Sequence, residues 1–164
     1  MDGVWFRQAS EADVPVILDF IKLLADYEKL SGEVVATEEL LREWLFDRHA
    51  AEVIFAMEGN TEVGFALFFG NFSTFLGRGG IYLEDLFVKE QYRGRGYGRA
   101  LLGKLASLAL ERGCGRLEWA CLDWNRPSID FYLSLNARPM SDWTTYRAAG
   151  ETLRQLAEGK NPEK

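Results

Sequence analysis

Between residues 93 and 99 the chain reads Arg93-Gly94-Arg95-Gly96-Tyr97-Gly98-Arg99, set between an apolar stretch ending at Val88 and a run with helical spacing. Glycines without Cβ let backbone N–H groups approach an anion closely, and a helix N-terminus adds about half a positive charge, so the segment suits a phosphate. A Walker-type loop is excluded because no Gly-Lys-Ser/Thr closes it, and Arg99 breaks the GxGxxG spacing. The residues alone also allow a glycine-rich turn with solvated arginines. The flanks constrain the fold. Ile81 to Val88 predicts a strand, Gly96 to Arg112 a helix ended by Gly113, and Arg116 to Leu122 a second strand. Such a strand–helix–strand unit is parallel and right-handed, and ligands in such sheets bind at the carboxyl ends of the strands.

The rest of the chain supplies a mixed α/β fold. Val14, Ile17, Leu18, Ile21, Leu24 and Ala25 lie on one face of a helix that starts near Asp13, capped by Ser10 or Asp13, and ends near Leu30. Thr37 caps a second, shorter helix through Leu45, so two helices are expected before the sheet. Val53 to Phe55 and Val63 to Phe69 predict a hairpin about Glu58-Gly59-Asn60. Gly70 to Gly80, with four glycines, predicts a loop; Arg126 to Leu135 predicts a helix capped by Asn125, and Trp143 to Ala148 a last strand. The charged tail after Ala157 is expected to fray. A single domain over residues 1–164 is expected, and 48% hydrophobic residues are ample for one packed core.

Composition removes several classes of function. The formal charge of −6 disfavours nucleic acid or an anionic membrane as partner and suits cationic small molecules. One histidine, His49, and two cysteines, Cys114 and Cys121, without metal-ligand spacing argue against a metal centre. The longest uninterrupted apolar run, Phe65 to Phe69, is far below the ~20 residues of a membrane span. With no readable secretory signal, a cytoplasmic protein with reduced thiols is expected. One oddity stands out: Glu84 and Asp85 occupy the centre of an otherwise apolar strand. They are either edge or salt-bridged carboxylates or groups that work on a proton.

The Arg-x-x-Gly-x-Gly pattern after a strand and before a helix resembles the acyl-CoA pyrophosphate loop of the GNAT N-acetyltransferase superfamily. Asn125-Arg126-Pro127-Ser128-Ile129-Asp130-Phe131-Tyr132 is similar to that superfamily's Asn-x-x-Ser-x-x-Phe-Tyr segment. Leu24 to Leu30, Ser73 to Arg78 leading into Tyr82 to Val88, and Asp123-Trp124-Asn125 resemble the spermidine/spermine N1-acetyltransferase and thialysine acetyltransferase group. The resemblance implies a GNAT-type sheet, mixed but mostly antiparallel and flanked by helices, with an acyl-CoA cleft between its central strands. It implies that Leu86, Phe87 and Val88 bind the pantetheine arm, that Arg93 and Gly94 to Arg99 hold the pyrophosphate, and that Asn125 and Ser128 also contact CoA. Tyr132 would protonate the departing thiolate, and Tyr27, Glu28, Glu84, Asp85, Glu118, Trp119 and Ala120 would line the amine site. It also implies a homodimer.

An alkyl amine with a pKa near ~10.4 is mostly protonated at neutral pH, so transfer to it needs a proton acceptor. Glu84 is the first candidate for that role and Asp85 the second, because strict alternation points Asp85 to the opposite face unless a bulge intervenes. The expected activity is acetyl transfer from acetyl-CoA, without a metal, to a polyamine, diamine or thialysine-like amino acid. A protein or peptide N-acetyltransferase of the same fold and a non-catalytic CoA-binding module are the alternatives.

Overall fold

A computed structural model describes residues 3–160 of the 164. The chain divides into two compact units, Met1–Leu122 and Asp123–Lys164. The first holds a five-stranded sheet in the order β1-β2-β3-β4-β5, made of β1 (Val4–Gln8), β2 (Glu52–Glu58), β3 (Thr61–Ser73), β4 (Arg78–Val88) and β5 (Leu117–Trp119). Neighbours are antiparallel except β4 and β5, which are parallel. Three helices belong to this unit, α1 (Val14–Tyr27), α2 (Glu38–Arg42) and α3 (Tyr97–Glu111). The second unit carries α4 (Arg126–Ser134) and α5 (Gly150–Ala157). No helix among the described residues is long and apolar enough to cross a membrane.

Strand alternation sorts the side chains of the sheet into two faces. Val53, Phe55, Met57, Phe65 and Phe87 form one buried cluster with Ile17 and Phe20 of α1. The Phe20 ring stacks on Phe65 at 4.9 Å and meets Phe87 edge-on at 6.5 Å. Aromatic pairs of this kind add to the burial of large apolar area in fixing how the helix crosses the sheet. Leu101 of α3 packs on the other face, where Gly64 makes room for it: a Cβ at Gly64 would lie 3.0 Å from the Phe87 carbonyl oxygen and 3.2 Å from Leu101 Cδ1. Helix α1 is entered through Asp13, which accepts from the Ser10 N–H at 2.7 Å and from both terminal nitrogens of Arg7 at 2.7 and 3.0 Å. Those Arg7 hydrogen bonds hold the Asp13 carboxyl below the ordinary aspartate range.

The structure corrects four sequence expectations. A strand, β1, comes before the helices; its short edge position leaves Trp5 partly exposed and bonded to the Gly59 carbonyl at 3.1 Å, so it lacks clear alternation. The glycine-rich stretch from 70 to 80 is mostly strand. A Cβ at Gly80 would lie 2.5 Å from Asn71 Oδ1 and 3.2 Å from the Arg116 carbonyl oxygen, so the glycine there permits close approach of backbones. Strand β5 is confined to Leu117–Trp119, shorter than expected. Residues 143–148 form no strand, with Trp143 and Tyr146 exposed, and a helix follows them at Gly150. Thr37 caps α2 as expected, accepting from the Leu40 N–H at 3.2 Å, and Gly113 takes the left-handed conformation after α3.

Replacing Gly64 by Ala should therefore cost about 1–3 kcal/mol of stability through crowding between α3 and the sheet. Urea unfolding checks this, with Gly70→Ala as the control: a Cβ there would meet only the Gly80 oxygen at 3.9 Å.

Candidate active site

The acidic strand owes its geometry to a bulge. In the β3–β4 register Leu67 faces Asp85 but Phe68 faces Leu83, leaving Glu84 as the extra residue. Leu83 therefore sits with Phe68 on the α3 face, while Asp85, with Leu67 and ahead of Phe87 and Phe65, sits on the α1 face. Tyr82, opposite Phe69, shares that face with Asp85, so the bulge brings residues three apart to one side. Glu118 pairs with Tyr82 and joins them there, whereas Trp119 pairs with Leu83 on the α3 face. Ala120 lies just beyond β5.

Electrostatics separates the two adjacent carboxyls. Burial first, then the carboxylates of Glu84 and Glu28, push the Asp85 carboxyl up to about 6. Glu84 is exposed. Burial also raises Glu28, at the end of α1, and Tyr82 is raised by burial and by Glu84 and Glu118. Glu118 is partly compensated by an ion pair with Arg116 at 2.9 Å and by the Asn71 amide at 3.3 Å. Glu28, Glu84 and Asp85 thus form an acidic group on the α1 side of the sheet. Its mutual repulsion is relieved by a cation or a proton.

Beyond this group β4 has an open edge. Strand β5 pairs with it only over Ile81–Leu83, so from Glu84 to Val88 no strand of the sheet lies on that side. The chain then enters the glycine–arginine loop, with Gly94 and Gly96 in the left-handed region at φ 73° and 86°. The first α3 N–H to meet a helical carbonyl is that of Ala100, on Gly96 at 3.0 Å, so the N–H groups of Tyr97, Gly98 and Arg99 precede the helical ladder. A Cβ at Gly98 would meet nothing within 4 Å, which leaves space above those donors. No acidic residue lies in this first turn. N–H groups outside the helical ladder and the positive end of a 15-residue helix together fit a diphosphate.

Arg93 faces elsewhere. Its Nε donates to the Val88 carbonyl at 2.9 Å, and its guanidinium lies 4.8 Å from the Tyr27 ring centroid and 5.0 Å from that of Phe87. It ties the loop back to the strand that precedes it. In the second unit Asn125 caps α4, its Oδ1 accepting from the Ser128 N–H at 3.4 Å. Ser128 and Tyr132 follow at i and i+4 on one helix face. Among the described residues no group of three or more His, Cys, Asp and Glu side chains could hold a metal ion.

The profile of the acetyltransferase (GNAT) family matches residues 18–136. The chain belongs to this family. As a GNAT protein it is an N-acetyltransferase, and enzymes of the family use acetyl-CoA. Thialysine N-epsilon-acetyltransferase of Sus scrofa is 40% identical, over 96% of this chain and 99% of that protein. L-ornithine N5-acetyltransferase of Arabidopsis thaliana is 30% identical, over 92% and 86%. The solved structure of an integron cassette protein from the mobile metagenome of V. cholerae superposes with a TM-score of 0.79 at 29% identity, covering 96% of this chain and 99% of that one.

Raising a carboxyl's pKa on folding has a stability consequence whose sign is fixed. Between about pH 4 and pH 6 folded GNAT chains of this sequence bind more protons at Asp85 than unfolded ones, so this group lowers stability as pH rises through that window. Asp85→Asn should accordingly stabilise the protein at pH 8 by about 3 kcal/mol, with the gain vanishing near pH 4. Thermal unfolding at the two pH values measures it; an equal effect at both would contradict the assignment.

Proposed function

We propose that this enzyme transfers the acetyl group of acetyl-CoA directly, within a ternary complex, to a primary amine of a small cationic substrate. The observation that carries the reading is the acidic group that Glu84 and Asp85, on the strand that leads into the anion-binding loop, form with Glu28 at the end of α1. A cation relieves its repulsion, and a carboxyl held near 6 is matched to accepting a proton at neutral pH. The relatives support the amine class, since their names give thialysine and ornithine nitrogens as acceptors. Polyamines and diamines belong to the same class of small cation.

The roles are those the family resemblance implies, with the geometry of β4 and the start of α3 in their support. Gly94 to Arg99 would hold the diphosphate, Leu86, Phe87 and Val88 would offer the open β4 edge to the pantetheine arm, and Asn125 and Ser128 would contact CoA. Acetyl-CoA supplies the activated thioester. The substrate nitrogen loses its proton to the Glu84–Asp85 pair, with Asp85 the carboxyl of matched proton affinity and exposed Glu84 the route to solvent. The neutral nitrogen forms the new bond to the acetyl carbon as the carbon–sulfur bond breaks, the Tyr132 hydroxyl gives its proton to the departing sulfur, and the second proton that the nitrogen sheds in becoming an amide returns to the tyrosinate. Tyr27 and Glu28 at the end of α1, with Glu118 of β5 and Ala120 just beyond it, would surround the amine, whereas Trp119, on the α3 face, lies away from that side of the sheet. We read the two compact units as one GNAT domain, because the family profile runs across both, take the working form to be a homodimer, as the family resemblance implies, and place it in the cytoplasm.

The test is acetyl-CoA-dependent thiol release against spermidine, putrescine, thialysine, ornithine, lysine and a lysine peptide. Release with a small amine is expected; release with the peptide alone would make the enzyme a protein acetyltransferase, and CoA binding without any release would make it a regulatory module. Tyr132→Phe should lower kcat at least 10-fold with little change in CoA affinity, because it removes a proton donor used in the transition state. Asp85→Asn should remove the acidic limb of the kcat/KM profile, whereas Glu84→Gln should lower the rate and keep that limb.

A further inference from the structure

Glu58 closes β2 at the turn into β3, 35 residues before the glycine–arginine loop begins at Arg93, yet both of its carboxylate oxygens are taken by that loop and the helix start. Oε1 accepts from Arg95 at 2.9 Å, and Oε2 accepts from the Tyr97 hydroxyl. These donors hold the Glu58 carboxyl below the ordinary glutamate range, the Tyr97 hydroxyl foremost. Tyr97 is the first residue of α3 and is buried, so its ring is fixed by packing while its hydroxyl reaches the hairpin. The Arg95 guanidinium lies 5.5 Å from the ring centroids of both Tyr92 and Tyr97, which meet each other edge-on at 6.2 Å. The hairpin is itself anchored: the Trp5 indole donates to the Gly59 carbonyl at 3.1 Å.

We propose that Glu58 is a positioning residue for the diphosphate loop, holding Tyr97 and Arg95 so that the loop N–H groups and Arg99 are presented to the anion. This rests on reading residues 94–99 as the diphosphate site. Two left-handed glycines give the loop its turn but leave it floppy, because glycine restricts φ so little. Something outside the loop must select one conformation, and the contacts on either side do so: Arg93 bonds back to Val88, and Arg95 with Tyr97 bonds to Glu58. Arg95 is thereby committed to a carboxylate, while Arg99, exposed on the first turn of α3, has no ion-pair partner among the described residues. The three arginines of the motif divide into two that shape the loop and one that meets the ligand. A carboxylate beside an anion site would ordinarily weaken it, so its presence there is explained by geometry.

The experiment is calorimetric titration of the full chain with CoA, together with steady-state kinetics on the reactive amine. Glu58→Ala and Tyr97→Phe should each raise the Kd for CoA about 5-fold to 10-fold, the worth of one or two such hydrogen bonds. The double variant should bind no more weakly than Glu58→Ala, because the two act through a shared bond. Glu58→Gln, which keeps an acceptor for the Tyr97 hydroxyl, should stay within about 2-fold of the unsubstituted protein. At saturating acetyl-CoA, Glu58→Ala should leave kcat and the KM for the amine unchanged. Tyr97→Phe conserves core volume and serves as the variant least able to disturb folding. If the unsubstituted protein binds no CoA, the diphosphate reading itself fails. If it binds and Glu58→Ala binds as tightly or more tightly, the carboxylate merely competes for Arg95 and the positioning role is overturned. A parallel loss of kcat and of amine affinity would equally overturn it, as general damage to the fold.

Discussion

The bulge at Glu84 is the constraint on which the rest of the arrangement depends. Up to Leu83 the strand β4 has a parallel neighbour and alternates in step with it; beyond the bulge the step has changed, and Asp85 faces the same side as Tyr82. If the strand alternated strictly past Leu83, with Glu84 paired like its neighbours, the carboxyl of Asp85 would point toward α3, into the packing of Leu101 and its neighbours. One inserted residue therefore decides that a half-buried acid lies on the face where α1 ends in Tyr27 and Glu28. Burying it is unfavourable, as its elevated proton affinity shows, and the apolar cluster of Phe20, Phe55, Phe65 and Phe87 on the same face supplies the stability that tolerates it.

The same strand also organises the loop and helix that come after it. Its open edge from Glu84 to Val88 runs straight into the loop before α3, so acidic face, free edge and helix N-terminus come from one continuous stretch of about 20 residues. Arg93 closes the stretch on itself by lying over Tyr27 and Phe87 and bonding to Val88. One ring face of Tyr27 is consequently in contact with a guanidinium of the loop, which links the end of α1 to the phosphate side of the site.

Much of this was legible in the sequence. The helical spacing of Val14 to Ala25, the Thr37 cap, the strand–loop–helix order about residues 93–99 and the out-of-place Glu84-Asp85 pair are local signals with local causes. Other features depended on partners distant in the chain. Glycines at 79 and 80 suggested a loop, because only the neighbouring strands reveal that a Cβ at Gly80 would crowd Asn71 and the Arg116 backbone. The edge strand β1 has too little burial to alternate clearly, and Trp143 to Ala148 has strand-like composition without a strand beside it. In the site, adjacency favoured Glu84 over Asp85, since only the register shows which carboxyl is buried. Arg93 and Arg95 counted equally with Arg99 as phosphate ligands, and nothing in the motif announced that Val88 and Glu58 engage the first two.

The concentration of arginines at residues 93–99 in a chain of formal charge −6 has a kinetic consequence. At distances beyond the screening length the whole molecule attracts a cationic amine and repels a polyanionic coenzyme, while at close range the loop reverses the sign for the latter. Added salt shortens the reach of the long-range field first. Capture of the amine should then slow with rising ionic strength while capture of the coenzyme becomes less impeded, so the two substrates of one small protein meet it through opposite salt dependences.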